Sequence, residues 1–130
     1  LEIDDHHTVE DIGIVLGQAL RQAVGNRAGL ARFGHAYAPM DEALARAVVD
    51  LSGRPFLVYN TPGLDPTLGG LRVFHTNLME EFWHAVVTNA ALTLHVDLLR
   101  CTNAHHGLEA CAKATALALH QATRLAGPVD

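Results

Sequence analysis

The 130-residue sequence has only two cysteines, Cys101 and Cys111. That is too few for a disulfide framework, and it favours a reducing, cytoplasmic compartment. No apolar run approaches the roughly 18 residues of a membrane helix. Basic residues are also scarce: nine Lys and Arg stand against fourteen Asp and Glu, a formal net charge of -5. Neither nucleic acid nor an anionic membrane surface is therefore an expected partner. The sequence starts without Met, and no signal sequence is expected from its first residues. Leu1-Glu2-Ile3-Asp4-Asp5 reads as the last residues of a strand, and Gly127-Pro128-Val129-Asp130 stops without a structural ending, so both ends are expected to be cut. What is present excludes a disordered chain. Hydrophobic residues make up 49% and charged residues 18%, enough for the core of one domain. Histidine is the other surplus: nine residues, four of them in two His-His pairs.

Periodicity predicts a helix over 6–24, with Asp4 or Asp5 as N-cap. Val9, Ile12, Leu16, Ala19, Leu20 and Ala23 form its apolar stripe. Gly13 and Gly17 lower its propensity but permit close backbone approach, and Gly25-Asn26 ends it. After a turn at Gly29, residues 30–37 read as a strand that Pro39 breaks. Residues 42–52 are ambiguous, with helix formers first and strand formers after. Residues 56–59 read as a strand and 60–72 as a loop rich in Pro and Gly. Thr76 or Asn77 is expected to cap a helix through Val87. A strand follows over 91–99, a short loop over 100–104, and a last helix over 105–125.

The chain contains a repeat. A shift of 99 residues lays His6, His7 and Glu10 on His105, His106 and Glu109. The same register lays Ala19, Leu20, Gln22 and Ala23 on Ala118, Leu119, Gln121 and Ala122. Duplication of a unit ending in a His-His-x-x-Glu helix accounts for this. Residues 1–28 then form the end of the first unit and residues 29–130 the second.

On a helix, the first His and the Glu of this motif are four apart and share a face. The second His is rotated by about 100° and points elsewhere. One helix can thus give two ligands to one metal and one to a neighbour. Two such helices facing each other would make two similar sites. Imidazole with carboxylate suits Mn²⁺, Fe²⁺ or Zn²⁺, and the lack of thiolate argues against structural zinc. A single His-His pair is more simply an exposed helix terminus, but two pairs in one register, each with Glu at the same offset, favour metal.

His35, His75, His84 and His120 are isolated and read as surface or partly packed residues. His95 reads as structural, and Cys101 and Cys111 as small buried or loop residues. Lys113 follows Glu109 by four and shares its helix face, which makes it a candidate for an anionic substrate. Arg32 and Arg54 adjoin predicted strand ends, where surface charge and phosphate binding are both open.

Asp4-Asp5-His6-His7-Thr8-Val9-Glu10-Asp11-Ile12-Gly13 and Asn103-Ala104-His105-His106-Gly107-Leu108-Glu109-Ala110 resemble the two signatures of imidazoleglycerol-phosphate dehydratases. Arg32-Phe33-Gly34, Pro39-Met40-Asp41-Glu42 and Leu51-Ser52-Gly53-Arg54-Pro55 resemble that family's intervening motifs. The resemblance implies an α+β fold of duplicated halves, with β-sheets packed on pairs of helices as in the ribosomal protein S5 domain 2-like fold. It makes 42–52 a strand. It also implies a lyase of histidine biosynthesis that dehydrates imidazole glycerol phosphate to imidazole acetol phosphate. Two Mn²⁺ per active site would bind the substrate as imidazolate, and copies would assemble into a 24-subunit shell with active sites between subunits.

By this resemblance His6, His7, Glu10, His105, His106 and Glu109 match metal-ligand positions, with Glu10 and Glu109 also expected to be catalytic. A further ligand position falls on Glu81, where many members carry His. Arg32, Arg54 and Lys113 match positions around the substrate, chiefly its phosphate. Ala112 departs from the usual Phe before the Lys. The family's N-terminal His ligand and catalytic Glu, and its C-terminal Ser-Lys segment, have no counterpart in these residues. A truncated metal-binding, self-assembling protein without turnover is therefore the alternative. A different binuclear metal hydrolase would explain the His-His-x-x-Glu pairs but not the intervening motifs.

Overall fold

The computed structural model describes residues 5–69 and 73–126. In chain order the elements are α1 (Asp5–Val24), β1 (Phe33–Met40), β2 (Ala43–Asp50), β3 (Phe56–Asn60), β4 (Thr67–Leu68), β5 (Phe74–His75), α2 (Leu78–Ala90), β6 (Thr93–Arg100) and α3 (Ala104–Ala122). The expected N-cap Asp4, the residues before it and the tail after Ala126 lie outside the described residues. No described helix is long and apolar enough to cross a membrane.

Four strands form one sheet in the order β1-β2-β6-β3. β1, β2 and β6 are antiparallel neighbours, and β3 runs parallel to β6. The stretch 42–52 settles as strand because its residues bury at a period of two. Ala43, Ala45, Ala47 and Val49 all face the core, as do Leu94, Val96 and Leu98 of β6. This burial overrides the helix propensity of the Glu-Ala-Leu-Ala sequence. Leu94→Ala is expected to destabilise the protein by about 3 kcal/mol, read from urea denaturation, because the side chain is fully enclosed.

α3 lies across β1 and β2. Its buried Ala110, Ala114, Ala118 and Ala122 recur every four residues, so a flat stripe of methyl groups meets the sheet. The approach is closest at Gly34, where a Cβ would overlap the Ala118 carbonyl oxygen. α1 packs on α2 instead, as its glycines allow. A Cβ at Gly13 would lie 2.7 Å from the Phe82 carbonyl oxygen, and one at Gly17 2.6 Å from that of Val86. The Arg27 guanidinium then closes the C-terminal end of α2, donating to the Ala90 and Ala91 carbonyls at 2.6 Å each.

Several boundaries differ from the sequence expectation. Pro39 does not break β1, which continues to Met40. The Arg32 carbonyl accepts from Leu51 N–H, so by alternation the backbone of Phe33, His35, Tyr37 and Pro39 faces away from β2. The missing proline N–H is thus on the free edge, where no ladder bond is lost. At His35 the outward N–H donates to Gln121 Oε1 of α3 at 2.6 Å. β1 begins at Phe33 rather than residue 30, because Leu30 instead bridges Leu125. That bridge also ends α3 at Ala122, three residues early. Within the expected loop 60–72, Thr67–Leu68 pairs with Phe74–His75 as a two-stranded ribbon. β6 starts at Thr93 because Ala91 takes a left-handed conformation (φ 56°) as the α2 C-cap. Asn77 holds the N-cap position of α2 without a side-chain cap bond, and the Thr76 hydroxyl donates to the Asp65 carbonyl.

In the 99-residue register, Ile12, Val15 and Leu16 of α1 correspond to Cys111, Ala114 and Thr115 of α3. The α3 residues are buried on the sheet, whereas Ile12, Val15 and Leu16 are exposed by 56%, 64% and 40%. The two motif helices therefore share a sequence pattern but not a packing partner among the described residues.

Candidate metal centre

Both His-His-x-x-Glu motifs form the first turns of long helices, and both adopt the same local geometry. His105 Nε2 lies 3.0 Å from Glu109 Oε2, and His6 Nε2 lies 3.2 Å from Glu10 Oε2. The paired imidazoles are almost perpendicular in each case, with centroids 5.9 Å apart for His6 and His7 and 6.2 Å for His105 and His106. The second His of each pair thus turns away from the first, as helical rotation requires.

The spacing can be tested against a metal. Bonds of roughly 2.1 Å meeting at a right angle separate their donor atoms by about 3.0 Å. The two imidazole–carboxylate edges match that separation without rearrangement. The nitrogen and oxygen donors suit Mn²⁺, Fe²⁺ or Zn²⁺. Neither thiol competes. Cys111 is buried, which pushes its thiol up to about 12, and burial also raises Cys101, whose Sγ donates to the Asn103 carbonyl at 3.0 Å.

Each edge has its own surroundings. Lys113 Nζ lies 3.2 Å from Glu109 Oε1, and this ammonium, with His105 next, holds the Glu109 carboxyl below its ordinary range. His105 and Glu109 line a cleft with Leu68, Phe74, Met79 and Leu108. Phe74 also borders the hollow beside Asp5, Thr8 and Val9 at the start of α1. Phe74 thus stands between the His105–Glu109 cleft and the start of α1, whereas Glu10 lines a separate cleft. Glu81 shares a cleft with Glu10 and His84, not with His105 and Glu109. α1 packs mainly on α2 and α3 on the sheet, and the two approach at their C-terminal ends, where Leu20 and Val24 share a small cavity with Leu119 and Thr123, away from both motifs. Among the described residues no three metal-binding side chains converge within one chain.

The expected phosphate contacts are divided too. Lys113 lies beside the His105–Glu109 edge. Arg32 is at the opposite end of α3, where its N–H donates to the Ala122 carbonyl, roughly 25 Å along the helix from His106. Its Nε donates to Asp50 Oδ1 at 2.8 Å, and its guanidinium lies over the Phe33 ring. Arg54 shares that end of the sheet, where its backbone bonds Ser52 and Thr93. His35, His75, His84, His95 and His120 are all exposed; His95 lies on the outer face of the sheet rather than packed within it.

Sequence reasoning gave no role to Glu42, which stands on the β1–β2 turn. Its Oε1 lies 2.5 Å from His106 Nδ1, and its Oε2 accepts from the backbone N–H groups of Thr102 and Asn103 at 2.7 and 3.3 Å. The Thr102 N–H, followed by His106, pulls the Glu42 carboxyl from 4.5 down to about 2. A lowered folded-state value stabilises the fold above the unfolded value and is lost as pH falls through the folded one. Denaturation midpoints are therefore expected to drop between about pH 4.5 and about pH 2, and to drop less in Glu42→Gln.

The α+β architecture, with the same imidazole–carboxylate edge at the start of two of its helices, defines the class of fold and site to be matched. A model of the imidazoleglycerol-phosphate dehydratase family matches residues 1–119, and the chain belongs to that family. It is 58% identical over 120 residues to an imidazoleglycerol-phosphate dehydratase of Halorhodospira halophila, covering 92% of this chain and 59% of that protein. The crystal structure of the Staphylococcus aureus enzyme of the same name superposes with a TM-score of 0.86 at 50% identity. That match covers 94% of this chain and 70% of the solved one. The Pyrococcus furiosus structure gives a TM-score of 0.79 at 37% identity, over 96% of this chain and 68% of that chain. The chain spans between about two fifths and three fifths of the length of the curated relatives it matches, 59% and 61% for two of them and 42% for the Neisseria proteins.

Proposed function

We propose that this chain is part of a cytoplasmic imidazoleglycerol-phosphate dehydratase, which removes water from imidazole glycerol phosphate to give imidazole acetol phosphate. The observation that carries this reading is the recurrence of one donor edge, Nε2 to Oε2, at 3.2 Å on α1 and 3.0 Å on α3. His6 with Glu10, and His105 with Glu109, would each hold one divalent ion, with Mn²⁺ as the proposed metal. His7, His106 and Glu81 would complete the coordination. When bound, the metal pair supplies Lewis acidity to the substrate ring, easing loss of the C–H proton beside it. Glu10 and Glu109 would each bind beside their own His and take the catalytic roles that the resemblance implies. Lys113, already beside Glu109, offers its ammonium to the substrate phosphate, and Arg32 and Arg54 would hold the same group.

A single chain leaves these residues apart, so the proposed active site is shared between copies of the protein. Arg32 and Arg54 would then serve a neighbour's site from the far end of the sheet. Residues 1–28 are read as the end of one unit and residues 29–130 as the other. The exposed stripe of Ile12, Val15 and Leu16 supports this, since its counterparts in α3 are covered by a sheet. The proposed assembly is the homo-oligomeric, 24-subunit shell.

Metal titration and turnover on one sample of the full-length protein test the reading, with His6, His105 and Glu109 each changed to Ala. Loss of both Mn²⁺ binding and dehydration is the expected result. Turnover retained in all three variants would sink the site. Metal binding and assembly without turnover in the unaltered protein would favour a non-catalytic family member.

A further inference from the structure

His106 can ligate a metal through Nε2 only if its proton sits on Nδ1, and the β1–β2 turn bears on that choice. Glu42 receives two backbone N–H groups at Oε2, from Thr102 and Asn103. A carboxylate held this way is an acceptor only. The atom that meets its other oxygen must therefore donate. That atom is His106 Nδ1, at 2.5 Å from Oε1. Asn103 Oδ1 accepts the His106 backbone N–H at 3.1 Å, which fixes the residue where α3 begins. Asp41 Oδ2 stands 3.7 Å from Nε2, beyond hydrogen-bond reach but on the side where a cation would sit.

We propose that Glu42 is a positioning residue: it fixes His106 in the Nδ1–H tautomer and so presents the Nε2 lone pair to a divalent metal. This rests on the reading of His106 as a metal ligand. Carboxylate partners of metal-bound imidazoles set both tautomer and ring orientation, and their loss lowers metal affinity roughly 10- to 100-fold.

Glu42→Gln makes a sharp test, because it changes almost no volume. Backbone N–H groups can only donate, so the Gln carbonyl oxygen must face Thr102 and Asn103. Its NH2 then faces His106 Nδ1, which must accept, and the imidazole proton moves to Nε2. The nitrogen that should bind metal is then blocked.

The measurement is a solid-state ¹⁵N spectrum of histidine-labelled, metal-free full-length protein, with His106 assigned by its loss in His106→Gln. The wild type is expected to show a protonated Nδ1 and Glu42→Gln a protonated Nε2. Mn²⁺ affinity, read by electron paramagnetic resonance of the free ion, is expected to fall roughly 10- to 100-fold in Glu42→Gln. A wild-type His106 protonated at Nε2 overturns the proposal. So does a Gln variant that keeps the wild-type tautomer and affinity. If that variant does not fold, the wild-type spectrum alone still decides the tautomer. Mn²⁺ binding indifferent to both His105→Ala and Glu109→Ala overturns the metal reading and the metal half of this proposal, while the spectrum still decides whether Glu42 sets the tautomer.

Discussion

Changing His105 to Ala is expected to weaken Mn²⁺ binding by more than about 100-fold, a larger effect than loss of an outer-shell partner produces. The reason lies in the edge it forms with Glu109. The two donors are already 3.0 Å apart, so on the proposed reading the helix would present a preformed pair of ligands and little reorganisation would accompany binding. Removing the imidazole leaves Glu109 with Lys113 as its neighbour, and a carboxylate paired with an ammonium is a poorer ligand than one aimed at a cation. Dehydration should fall with the metal. The check is a titration of free Mn²⁺ alongside the turnover assay, with circular dichroism to show that α3 persists. Since His105 is exposed, the fold should survive its loss. Unchanged Mn²⁺ affinity in a folded His105→Ala protein would remove the α3 edge from the metal centre.

The second large effect is on stability. Gly34→Ala is expected to destabilise the protein by about 3 kcal/mol or more, shown by a lowered thermal midpoint or failure to fold. The added methyl meets the Ala118 carbonyl and also crowds the Ala118 carbon and the Ala122 nitrogen, each 2.9 Å away. These are backbone atoms of one helix, which cannot step aside singly as a side-chain end can. α3 would have to lift from β1, taking Ala114 and Ala118 out of the core. A Gly34→Ala protein with a wild-type midpoint would show that the helix–sheet gap is wider than described.

Much of this was legible in the sequence. The three helices follow from apolar periodicity, and the paired glycines of α1 marked a close backbone approach without saying to what; of the apolar stripe read for α1, Ile12 and Leu16 are exposed and the glycine face is the one buried. The donor edges follow from spacing alone, because residues four apart on a helix must share a face. β2 was not legible from its own residues, since a Glu-Ala-Leu-Ala-Arg-Ala run favours helix until a sheet buries every second position. The ends of β1 and α3 depend on the Leu30–Leu125 bridge, which no local pattern encodes. Glu42 was hidden for the same reason: 64 residues separate it from His106, and only the hairpin brings them together. Its place in the Pro39-Met40-Asp41-Glu42 motif was the available signal. The division of Glu81 from the α3 edge was equally invisible, because it depends on where α2, which carries Glu81, lies relative to α3.

The free edge of β1 has a bearing on how copies of this protein can meet. Of its four outward backbone positions, Pro39 has no N–H to give and that of His35 is already held by Gln121. An incoming strand would find half its donors missing or taken, and half a ladder is a weak template. Edge-to-edge growth into continuous sheets is thus discouraged at β1, the side from which unregulated fibrillar stacking could otherwise start. On that side of the sheet, contact between copies is left to faces and helix surfaces, where side chains rather than backbone choose the partner.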